Sequence, residues 1–130
     1  MTTRDQIITD GAPAALGPYS QAIRAGDLVF TAGQLGVDPA TGELVSPDVG
    51  PQAHRALQTV AAILEAAGSG LDRLVKVTVF LADIGDGPAV NEVYASLVPE
   101  PYPGRSALAV KDLPKGGLVE IEAVAVVGVG

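Results

Sequence analysis

The chain has 130 residues, 48% of them apolar, with a formal net charge of −7 and no cysteine. That length suffices to bury one core, and the composition excludes a disordered chain. The acidic balance disfavours nucleic acid as a main partner, and the missing cysteines rule out disulfides, thiolate nucleophiles and Cys-ligated metals.

No charged and apolar leader opens the chain, and no apolar run approaches membrane-spanning length. A single domain over residues 1–130, cytoplasmic and away from membranes, is therefore expected. Residues 1–15 are polar, broken by Gly11 and Pro13, and read as a short strand or arm leading to Gly17-Pro18-Tyr19-Ser20-Gln21-Ala22. On pattern alone, Gly17-Pro18 is a turn and Tyr19 a half-buried aromatic. Residues 20–24 and 28–34 read as two strands of a hairpin around Ala25-Gly26-Asp27. Gly33, inside the second run, predicts a bulge or a close approach to the backbone.

Asp38-Pro39-Ala40-Thr41-Gly42 is a turn with no chemistry of its own. After Pro51 the period changes: Ala53, Leu57, Val60, Ala61, Leu64 and Ala67 recur at helical spacing, and Gly68 is a stop. The single histidine, His54, lies off this stripe beside Arg55. A metal centre needs several such ligands, so His54 reads as solvated and no metal is expected. Residues 74–81 form a strand with Val75, Val77, Val79 and Leu81 on one face and Lys76, Thr78 and Phe80 on the other. Asp86 is placed to cap a second helix, with Pro88 in its first turn. The inward face of that helix is Val90, Val93, Tyr94 and Leu97, with Asn91 at the edge, and Pro99 and Pro101 end it.

The stretch from Pro103 to Val110 and the one from Val119 onward read as two further strands joined by a polar turn. In the last, Val119, Ile121, Ala123, Ala125 and Val127 face one way, and Glu120, Glu122, Val124 and Val126 the other. Arg105 shares a face with Ala107 and Ala109, while Ser106 points away from it. A planar cation on one strand and two carboxylates on a neighbouring one suit a small organic acid beside a polarised water. On the residues alone, a structural salt bridge between Arg105 and Glu120 across adjacent strands is the readier account. Glu122 is expected to pair with a cation such as Lys76 at the subunit interface. A serine triad has no support, because the one histidine is off-stripe.

The order strand, strand, helix, strand, helix, strand, strand predicts an α+β domain with two helices on one face of a sheet. The other face would carry Phe80, Val124 and Val126 among Lys76, Thr78, Glu120 and Glu122. Burying one aliphatic or aromatic side chain is worth roughly 1.5–3 kcal/mol, so an open face of this kind predicts association. The expectation is a homo-oligomer with polar clefts where subunits meet.

Six segments then carry a resemblance. Gly17-Pro18-Tyr19-Ser20-Gln21-Ala22, Thr31-Ala32-Gly33-Gln34, Val90-Asn91-Glu92-Val93-Tyr94, Pro103-Gly104-Arg105-Ser106, Leu113-Pro114-Lys115 and Glu120-Ile121-Glu122-Ala123 run in order across nearly the whole chain. Together they resemble the RidA (YjgF) family. The resemblance implies a chorismate-mutase-like α+β fold with a mixed sheet, and a homotrimer whose sheets pack into a central barrel. It places ligand sites in the three intersubunit clefts. It implies hydrolysis of reactive enamines and imines, such as 2-imino acids derived from 2-aminoacrylate, to 2-keto acids and ammonia, with no cofactor. By the same matching, Arg105 clamps the substrate carboxylate and Glu120 positions the water. Tyr19 closes over the ligand, the backbone around Gly33 approaches it, Asn91 adds a polar contact, and Ala107 lies beside the water.

The implied chemistry suits these residue types. A guanidinium fork matches a carboxylate bidentately, and a protonated imine carbon is already electrophilic, so neither covalent nucleophile nor metal is required. A carboxylate within hydrogen-bond reach can relieve the water of a proton. Three positions depart from the family pattern and bear on substrate preference: Ala107 where Cys is common, Gly104 where Ala or Thr is usual, and Lys111 in place of a small residue. Two other classes stay open. One is a keto-acid-binding or regulatory module without turnover. The other is a translation inhibitor or endoribonuclease, as described for some family members, against which the charge of −7 argues.

Overall fold

Two periods build the domain, an alternation of two in the strands and a 3.6-residue repeat in the helices. In the computed structural model, which describes residues 3–128, nine elements follow in order. They are β1 (Arg4–Ile7), β2 (Ala22–Ala25), β3 (Leu28–Thr31), β4 (Gln34–Leu35), α1 (Val49–Ala66), β5 (Leu74–Leu81), α2 (Gly87–Leu97), β6 (Gly104–Ala109) and β7 (Val119–Val126). The strands lie in the order β1-β2-β3-β7-β5-β6, with β4 also paired to β7. Every pairing is antiparallel except β5 with β6, which the α2 crossover makes parallel. The sheet is therefore mixed.

One face of the sheet is covered by α1, and α2 packs beside α1. The buried core joins Leu57, Val60, Ile63 and Leu64 of α1 to Val77, Val79 and Leu81 of β5 and to Val119, Ile121 and Ala125 of β7. The alternation read for β7 holds throughout, with Val119, Ile121, Ala123, Ala125 and Val127 all buried. Helix α1 begins before Pro51, at Val49, and Gly68 ends it in the left-handed region at φ 83. His54 is exposed, and on α2 both Val90 and Tyr94 are buried.

Two buried glutamines tie irregular chain to the core. The Gln21 side chain accepts the Thr9 amide at 2.8 Å and donates to the carbonyls of Thr9, Ala12 and Pro13. Gln52 donates to the Ser46 carbonyl at 2.9 Å and accepts the Leu118 amide at 2.8 Å. Each satisfies loop amides and carbonyls that would otherwise be buried without partners.

Several local expectations need correction. The first hairpin strand starts and ends later than read, since Ala25 pairs with Leu28 and only Gly26 and Asp27 make the turn. The run 28–34 is not one strand. Phe30 opposes Val124 while Gln34 opposes Ile121, so β3 and β4 together carry one more residue than β7 over the same span. That extra residue is the bulge predicted at Gly33. A second bulge between Leu74 and Lys76 takes Val75 off the core face, where it stands exposed. Asp86 occupies the cap position of α2 but makes no side-chain cap bond; Asp83 caps the preceding 3-10 turn through Gly85 N at 2.8 Å.

Candidate functional site

Arg105 lies on β6, at the sheet edge, opposite Val77 of β5. Paired residues in neighbouring strands share a face, so Arg105 points to the side the helices cover. There α2 meets it. The Arg105 guanidinium carbon sits 4.8 Å from the centroid of the Tyr94 ring, within cation–π range. The Tyr102 ring lies 6.4 Å from that of Tyr94 at a tilt of 40°. Asn91, three residues before Tyr94 on α2, completes the wall.

The resulting cleft, of about 290 Å³, is lined by Asn91, Tyr94, Ala95, Tyr102, Pro103 and Arg105, none of them acidic. Its aromatic walls and single cation suit a small organic carboxylate. Burial pushes the Tyr94 phenol above its ordinary pKa, while the Arg105 charge pulls the other way and Tyr102 adds to the rise. The Tyr94 hydroxyl is buried without a hydrogen-bond partner. Ala107 lies two residues along β6 on the same face as Arg105, opposite Val79, and is not among the lining residues.

Glu120 belongs to the other face. It opposes Phe80 of β5 and Leu35 of β4, and alternates with the buried Val119 and Ile121. The bulge brings Gly33 against it. A Cβ on Gly33 would stand 2.6 Å from Glu120 Oε2, so any larger residue there would push the carboxylate from this position. Glu120 lines two clefts that share Gly33. In one, of about 280 Å³, it meets Tyr19, Leu35, Pro114 and Lys115. In the other, of about 320 Å³, it meets Phe80, Asp112 and Glu122. Its pKa is raised, first by burial and then by the neighbouring Glu122 charge. A carboxylate so placed is a better proton acceptor than one in water.

The structure thus sorts the predicted residues into two groups. Asn91 and Arg105 share one cleft; Tyr19, Gly33 and Glu120 share another. Within one chain the groups do not meet. Strand β5 separates β6 from β7, and Arg105 aligns through Val77 with Ala123, three residues from Glu120. That register puts them about 10 Å apart across the strands and about 10 Å along them, on opposite faces. The expected salt bridge between adjacent strands is therefore excluded, and the carboxylates are not on a strand neighbouring Arg105. Lys76, the cation offered as a partner for Glu122 at the subunit interface, donates within the chain from Nζ to Ser106 Oγ at 3.0 Å, across the register that aligns Lys76 with Gly104.

Sequence reading places Tyr94 in the core stripe of α2 and passes over Tyr102. The available signal was the three-residue spacing of Asn91 and Tyr94, which stacks both on one helix face. Among the described residues no cluster of three His, Asp or Glu side chains is placed to hold a metal ion, and no helix is long and apolar enough to cross a membrane.

A family model described as Endoribonuclease L-PSP matches residues 9–127. A goat (Capra hircus) protein named 2-iminobutanoate/2-iminopropanoate deaminase is 51% identical over 122 residues, which cover 94% of this chain and 89% of that one. The chain belongs to the RidA (YjgF) family. The fold agrees. The crystal structure of RidA from an Antarctic Psychrobacter species superimposes with a TM-score of 0.91 at 47% identity, over 95% of this chain and all (100%) of that one. Escherichia coli TdcF, solved with bound serine, gives a TM-score of 0.87 at 42% identity, over 95% and 99% of the two chains. The mixed sheet with two helices on one face is thus the RidA fold, and with the named deaminases this chain falls in the imine-deaminase class of enzymes.

Proposed function

We propose that this protein hydrolyses reactive 2-imino acids to 2-keto acids and ammonia, as a cytoplasmic homotrimer with its sites between subunits. The observation that carries the reading is Arg105, a guanidinium at the mouth of an aromatic cleft with no acidic wall. Such a cleft favours a substrate with one carboxylate and a short apolar tail. The deaminase names of the goat, cattle and human relatives support the imine as its reactive group.

Because Arg105 and Glu120 occupy opposite faces of one sheet, the reading assigns each site the Arg105 face of one subunit and the Glu120 face of the next. Tyr19 and the backbone at Gly33 then close on the ligand from the Glu120 side, and Asn91 and Ala107 from the Arg105 side. Glu120 accepts a proton from water as the new O–C bond forms at the imine carbon. The C=N electron pair moves to nitrogen. The proton is then returned to that nitrogen, which leaves as ammonia while the new hydroxyl gives its own proton to Glu120 and the carbonyl forms. This balance needs no cofactor and no metal.

The test is imine hydrolysis coupled to a threonine dehydratase, comparing the parent with Arg105→Ala. A lost charge-assisted clamp should lower kcat/KM roughly 10- to 100-fold. Equal acceleration by both proteins would put the clamp elsewhere, and acceleration by neither would leave a keto-acid-binding protein without turnover. The family's endoribonuclease description supports a second reading, cleavage of RNA. Cleavage of a single-stranded RNA by the parent, weakening steeply with salt, would favour it despite the charge of −7.

A further inference from the structure

We propose that Tyr94 is a positioning residue for Arg105: its ring face holds the guanidinium so that the donor edge is presented to the substrate carboxylate. The inference rests on the carboxylate-clamp reading and adds to it a residue outside the predicted site. Arg105 stands on an exposed edge strand next to Gly104, where the backbone restricts a long side chain little. What restrains it is α2. Tyr94 is 5% exposed, wedged in the core cluster with Val90 and Val98, and its ring lies 4.8 Å beneath the guanidinium carbon. Tyr102 packs beside it at 6.4 Å.

A ring face takes up the flat side of a guanidinium and leaves its N–H edge for a planar carboxylate. Tyr94 makes this contact from a rigid, buried position, so the orientation of Arg105 is set before ligand arrives. The ring, not the hydroxyl, carries the effect, since the hydroxyl has no hydrogen-bond partner.

Three measurements test the role. In the parent protein, the Arg105 side-chain proton resonances should show the upfield shift of a group held over an aromatic face. Tyr94→Leu should raise KM roughly three- to tenfold with kcat within about twofold, and Tyr94→Phe, which keeps the face, should restore KM. Added to Arg105→Ala, Tyr94→Leu should cost nothing more, because it acts through the residue already removed. Unshifted Arg105 resonances in the folded parent, or additive losses in the double variant, would overturn the proposal. The resonance measurement needs no variant, so it stands even where Tyr94→Leu fails to fold. Undiminished turnover by Arg105→Ala would sink the clamp reading itself, a result separable from a shifted Arg105 with additive losses.

Discussion

Glu120 sits where a charge is costly. Burial and then the Glu122 carboxylate raise its pKa, so the native chain holds this proton more tightly than the unfolded chain does. The sign follows. Such a group contributes stability that is fully present below its unfolded pKa and is lost as pH rises through the folded one. Glu120→Gln, which cannot ionise, should therefore melt above the parent at pH 7 to 8. The gap should close as the buffer approaches pH 4, and thermal melts across that range would show it. The effect should be small, because water still reaches the side chain. The same variant should lose deamination, and in the parent the acid limb of kcat/KM should lie above the ordinary carboxylate value of 4.5.

At the scale of elements, Gln21 has the largest structural role of any polar side chain in the GPYSQA motif. Its four hydrogen bonds dock residues 9–13 against the start of β2, upstream of the loop that presents Tyr19. Gln21→Ala leaves those backbone groups without partners and should cost roughly 2–3 kcal/mol, read as a lower urea midpoint, with faster proteolysis around residues 9–16. Nothing in the motif's residue types announced this clamp. Period alone disclosed α1, α2, β5 and β7, because each is long enough for its repeat to show. It failed where elements are short or irregular: β4 is two residues long, and one bulged residue removed Val75 from its expected face. It also could not order the strands. Residues 103–110 and 119–127 are neighbours in the chain, yet the parallel pairing made by the α2 crossover puts β5 between them. That single insertion undid the expected contact between Arg105 and Glu120, the two residues that the resemblance to the family had singled out as site candidates.

For the whole molecule, the uncovered sheet face matters most. Phe30, Leu108 and Val126 are 44%, 41% and 39% exposed there, on the same face as Glu120. That is the apolar surface the proposed trimer would cover. A shared site makes a prediction no single-chain site can meet. Arg105→Ala and Glu120→Gln chains, each strongly impaired alone, should recover activity when unfolded and refolded together. With random assortment around a closed ring, about a quarter of the sites would pair an intact Arg105 with an intact Glu120. Recovery near that level, read in the coupled assay, supports the shared site; none at all, with mixed trimers present, refutes it.

The placement of Arg105 and Glu120 on opposite faces also bears on when the protein becomes reactive. A solitary chain holds the anchoring cation and the proton acceptor back to back, with the sheet between them. Under the proposed shared site, a newly made chain is chemically silent, and its reactivity is born at the moment of encounter with a sister chain. Abundance would then govern output twice over, through the number of chains and through the fraction that have found one another.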